Sequence, residues 1–115
     1  MSRRSEVLLW GAQRISAMVL ALCVLVHLVT MIYAVRSGLS AAEILGRTQG
    51  SVAWFAFYTL FVFAVAVHAP IGLRTIIGEM CNWRGRGLDV LTGVIGLSLA
   101  MWGMRAVFAV FGGGA

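Results

Sequence analysis

The chain has 115 residues, 61% of them hydrophobic and 11% charged, with a mean hydropathy of +0.95. A domain of this length has too little interior to hide that much apolar surface from water, so a soluble globular fold is excluded and the composition is that of an integral membrane protein. The net charge of +5 comes from nine basic residues, all arginine, gathered at the ends of apolar runs; this pattern anchors a membrane protein rather than binding nucleic acid.

Three apolar runs are visible: Ile15–Val35, Ser51–Leu73 and Leu88–Phe111. Each has the roughly 20 residues that a helix needs to cross a hydrocarbon core. Helices satisfy their own backbone hydrogen bonds in lipid. The expected fold is therefore all-α, one domain of three transmembrane helices in an up-down-up bundle, with spans at about 14-35, 51-77 and 88-111. If the spans alternate, Arg3, Arg4, Arg14, Arg74, Arg84 and Arg86 share one side and Arg36, Arg47 and Arg105 the other. The arginine excess then puts the N-terminus and the loop after the second span in the cytoplasm.

Residues 1–13 form a short lead-in, with Trp10 suited to the interface. Ser2-Arg3-Arg4 has a superficial likeness to a twin-arginine signal. The apolar run behind it is too long, contains a histidine and lacks a clear cleavage site, so the first span is expected to be retained. Along that span Ser16, Leu20, Cys23, His27, Thr30 and Ala34 fall near one face at helical spacing. This stripe is expected to face protein or a cofactor, and the aliphatic remainder to face lipid. In the loop 36–50, Ser40 followed by Glu43 is a capping-box pattern and predicts a short interfacial helix from about Ala41 to Leu45, ended by Gly46.

The second span is the more informative. Phe57, Phe61, Ala64, His68, Gly72, Thr75 and Glu79 share a face. An ionisable side chain at membrane depth is costly and so marks a candidate site. The residues four before and four after His68 are Ala64 and Gly72, which leave room for a flat ligand to approach the imidazole or for another helix to come close. Pro70 removes an amide donor to the carbonyl of Ala66 and predicts a kink near His68. His68 reads either as an axial ligand of haem iron or as a polar packing contact. His27 is the second candidate ligand. It lies roughly 25 Å beyond Trp10, and His68 roughly 21 Å before Asn82, at 1.5 Å per residue. Antiparallel packing would bring the two to similar depth, so that one chain supplies both ligands of a bis-histidine haem; the other reading of His27 is a polar contact.

Arg14 and Ser16 begin the first span, and Arg74 and Glu79 end the second on the same side. Together they are expected to form a polar pocket suited to a quinone headgroup or to haem propionates; snorkelling of the arginines to the interface is the plainer reading. The loop EMCNWRGRG is basic and short, able to dock a soluble partner or lipid headgroups. The third span carries Gly96, Ala100 and Gly103 on one side, a small-residue packing face, and the FGGGA tail is expected to fray. Cys23 and Cys81 form no disulfide framework or metal pair. A phosphate-binding loop and a nucleophile–base pair are both absent from the sequence.

Two stretches match a known pattern. Gln13-Arg14-Ile15-Ser16-Ala17 resembles the H-R-x-S-G opening of the membrane-anchor cytochrome b subunits of succinate dehydrogenases and fumarate reductases. His68-Ala69-Pro70-Ile71-Gly72-Leu73-Arg74, with Glu79 five further on, resembles their second-span pattern H-x-x-x-G-x-R with a following acid. Gln13 and Ala17 replace the motif's histidine and glycine, Trp10 stands where many members have a serine, and Glu79 replaces an aspartate. The resemblance implies a subunit without dicarboxylate chemistry of its own, seated in the bacterial cytoplasmic membrane. It would hold haem b through His68 and pass electrons between an iron–sulfur subunit and quinone. Arg14 and Ser16 would lie near quinone or propionate, and a flavoprotein and an iron–sulfur subunit would bind the cytoplasmic face. In many members a second membrane subunit supplies the other haem ligand. His27 has no place in that pattern and suggests a chain that works alone or with a second copy of itself. A haem-free anchor of the same build and a small transporter or pore are the alternative functions.

Overall fold

The computed structural model describes residues 3–112. Its elements are α1 (Arg3–Arg36), α2 (Ala41–Thr48), α3 (Val52–Met80) and α4 (Arg86–Gly112), and no strand occurs among the described residues. α1, α3 and α4 are each long and apolar enough to cross a membrane, with the short α2 between the first two. The protein is a multi-pass membrane protein.

α1 begins well before the apolar run. Its 34 residues span about 51 Å at 1.5 Å each, against roughly 30 Å of hydrocarbon. The lead-in is thus helix, continuous with the span. A Schellman motif closes the other end. Leu39 N–H donates to Ala34 O at 3.0 Å and Gly38 N–H to Val35 O at 3.2 Å, with Gly38 at φ +67°.

The predicted capping box at α2 is present. Glu43 N–H donates to Ser40 Oγ at 3.2 Å, and Ser40 N–H to Glu43 Oε1 at 3.3 Å. Gly46 does not end this helix. α2 runs on to Thr48, where Gln49 N–H donates to Leu45 O at 2.8 Å and Gly50 makes the turn at φ +71°. Two long-range bonds account for the extra turn. Thr48 Oγ1 donates to Val110 O at 3.1 Å and Gly50 N–H to Phe111 O at 3.0 Å, tying the loop to the last turn of α4. Of the tail, Phe111 and Gly112 are helical and residues 113–115 lie outside the described residues.

α3 is the central helix and packs against both α1 and α4. Pro70 stays inside an unbroken helix. The carbonyl of Ala66, which Pro70 cannot bond, faces Gly96 of α4. A Cβ on Gly96 would stand 3.1 Å from Ala66 O and 2.8 Å from Pro70 Cγ, and one on Gly103 would stand 2.6 Å from Val62 Cγ1. The small-residue face of the third span is therefore the α3–α4 seam, as expected. Ser16 and Cys23 are the buried residues of α1, so the polar stripe does turn inward. Leu22, Leu25, Val29 and Ile32 on its other faces are open to lipid.

Candidate functional site

Two hollows lie along the α1–α3 seam. The first is a cleft of about 440 Å³ beside His68, walled on α1 by Ala17, Leu20, Ala21, Val24, Leu25 and Leu28. The wall is entirely aliphatic, so it offers the imidazole no hydrogen-bond partner. His68 Nδ1 is buried and unbonded. A buried polar atom without a partner carries a desolvation cost of about 1–3 kcal/mol, and such an atom in a native fold calls for an explanation.

His27 is elsewhere. Its ring meets Phe61 edge-on at 5.8 Å and Tyr58 at 6.1 Å between centroids. Those residues precede His68 by seven and ten positions, or about 10–15 Å along α3. The two imidazoles are not brought together. The expected equality of depth assumed that Trp10 and Asn82 lie level. In the structure Trp10 shares a cleft with Gly72 and Ile76, well short of Asn82. α1 is displaced along α3, and seventeen residues from that level lead to the aromatic turn, not to His68.

The second hollow, about 530 Å³, includes Glu6, Trp10, Gln13 and Arg14 of α1 and Gly72, Arg74 and Thr75 of α3. Arg14 and Arg74 thus line one cleft, as the sequence suggested. The Arg14 guanidinium lies over the Trp10 ring, 5.1 Å from its centroid, which holds the side chain by cation–π attraction. Ser16 is not among the lining residues. It is buried and its hydroxyl donates to the Gln13 carbonyl at 3.1 Å. Glu79 lies in an adjoining polar cavity of about 300 Å³ with Arg84 and Asp89, and this cavity shares Glu6, Arg74 and Thr75 with the cleft.

Sequence reasoning missed two residues here. Gln13 lies against Gly72: a Cβ there would stand 3.3 Å from Gln13 Nε2. Its Oε1 is buried without a partner. The signal was its place immediately before Arg14, where the matched motif has a histidine. Asp89, in the first turn of α4, bonds Arg74. Nothing local in the sequence pairs two residues fifteen apart across a loop.

Chemically, the seam offers one imidazole with an aliphatic wall, then a mixed cleft with two cations and an amide whose oxygen is buried. Among the described residues no three His, Cys, Asp or Glu side chains are grouped to hold a bare metal ion. A metal already carried in a macrocycle needs only an axial ligand from the protein, and His68 fits that requirement. The model of a family described as the succinate dehydrogenase/fumarate reductase transmembrane subunit matches residues 1–113. Neither the curated proteins nor the solved structures gave a match.

Proposed function

The chain belongs to the succinate dehydrogenase/fumarate reductase transmembrane-subunit family, and from that membership we propose that it is the cytochrome b anchor of such a complex. It holds haem b in a bacterial cytoplasmic membrane and mediates electron transfer between an iron–sulfur subunit and quinone. The dicarboxylate chemistry belongs to a flavoprotein. Both soluble subunits bind the end rich in arginine, which faces the cytoplasm with the N-terminus.

The observation that carries this reading is His68, half-buried with its Nδ1 orphaned, beside a cleft with an aliphatic wall. When bound, haem b supplies a one-electron centre whose potential depends on its axial ligands and surroundings. His68 would supply one of those ligands. His27 is engaged with Phe61 and Tyr58, so a second ligand would have to come from a second membrane chain, either a different subunit or another copy. Arg14 and Arg74 offer cations to a propionate or a quinone oxygen at the second cleft. The Gln13 amide would offer a quinone carbonyl a donor through Nε2. Ser16 holds the backbone at Gln13, and Glu79 gives the adjoining cavity an acid able to carry protons toward the cleft.

Purification of the tagged chain from its native membranes in mild detergent tests this. The expected preparation contains a flavin-bearing subunit and an iron–sulfur subunit, shows a b-type band on reduction, and reduces quinone with succinate. A chain that emerges with neither soluble subunit overturns the anchor reading.

A further inference from the structure

The Arg74–Asp89 ion pair joins the arginine that closes the second matched motif to an aspartate outside both motifs. Arg74 Nε donates to Asp89 Oδ1 at 2.7 Å. Asp89 stands in the first turn of α4, where the helix dipole favours a carboxylate. Its partner occupies a junction. Arg74 lines the cleft with Gln13 and Arg14, the polar cavity with Glu79, and an apolar groove of about 630 Å³ between α3 and α4. Asp89 lines the last two.

Stability alone is a weak reason for this pair. The side chains are 30% and 43% exposed, and ion pairs this open contribute little to folding. Geometry is a stronger reason. A guanidinium is a rigid planar fork, and a bond at Nε fixes both its plane and its direction. Without one, a long arginine at a membrane surface has many rotamers and reaches for water.

Resting on the redox reading above, we infer that Asp89 is a positioning residue for Arg74. It holds the guanidinium at the wall of the α1–α3 cleft, where it meets an oxygen anion of the bound redox group, either a haem propionate or a quinone oxygen. Asp89 acts through Arg74 and touches neither group itself. Its carboxylate also offsets the arginine's charge, so removing it alters the field at the cleft even where the hydrogen bond survives.

A double-mutant cycle on the intact complex tests this. The variants are Asp89→Asn, which keeps an oxygen for the Nε bond, Arg74→Gln, and the two together. The readouts are KM and kcat for a short-chain quinone and the midpoint potential of the haem. Asp89→Asn is expected to raise the quinone KM several-fold if the anion is a quinone oxygen, or to shift the haem midpoint if it is a propionate. In the Arg74→Gln background it is expected to change neither, since coupled residues are non-additive. An Asp89→Asn complex with wild-type values overturns the proposal, as do losses that simply multiply. If Asp89→Asn fails to assemble, the cycle is run with Asp89→Glu, which keeps the charge and moves it by one methylene; wild-type values there overturn the proposal equally. A wild-type complex with no haem band and no quinone reduction overturns the redox reading itself, which is a separate result.

Discussion

Replacing His68 by alanine is expected to abolish the b-type band in a reduced-minus-oxidised spectrum while the chain stays in the membrane and bound to its soluble partners. The two halves of this outcome have different causes. The band is lost because alanine has no nitrogen for the iron. The fold survives because the imidazole contributes little to it: His68 Nδ1 is buried and unbonded. Removing an unsatisfied polar group removes a cost rather than a bond, and alanine is the best helix former. His27→Ala is expected to keep the band, since its ring packs on Phe61 and Tyr58. A band that survives in the His68 variant and disappears in the His27 variant would reverse the assignment.

Gly96→Val is expected to be the most damaging single change to the fold. A Cβ at this position meets a backbone carbonyl at 3.1 Å and a proline ring carbon at 2.8 Å, neither of which can rotate away. α4 must then move off α3. Overpacking of this kind costs about 1–3 kcal/mol, and the few tenths that valine regains over glycine in helix propensity do not offset it. Gly93→Val is the control, because a Cβ there has nothing within 4 Å. Thermal unfolding in detergent distinguishes them: the Gly96 variant is expected to melt well below the Gly93 variant. Equal melting would mean that the α3–α4 seam does not depend on that close approach.

What the sequence made legible follows a physical line. Helical periodicity is local, so the three spans, the inward stripe through Ser16 and Cys23, and the face of Gly96 and Gly103 could be read directly. So could the capping box at Ser40, which involves four consecutive residues. Gly46 misled because its usual role as a helix stop was outweighed by tertiary bonds from Thr48 and Gly50 to the end of α4. Relative sliding of helices is the other blind spot. The depth of His27 depends on how far α1 is displaced along α3, and no residue count on either helix contains that offset. The Arg74–Asp89 pair is hidden for the same reason, since it needs the turn between α3 and α4 to set the register.

The central place of α3 has a consequence for how the protein is made. Its seam with α4 is built on glycine contacts, and it holds α1 separately, with no comparable seam joining α1 to α4. Synthesis delivers α1 first, so that helix waits in the bilayer until the hairpin of α3 and α4 has formed. Apart from His68 itself, the residues that line its cleft all belong to α1. On the proposed haem reading, a sideways swing of α1 in the plane of the membrane would expose His68 to a flat prosthetic group with the hairpin left intact. Residues 1–50 and 51–115 expressed as two separate fragments are then expected to recombine in the membrane with the haem band restored. Fragments that assemble without recovering the band would show that loading needs the covalent connection through α2.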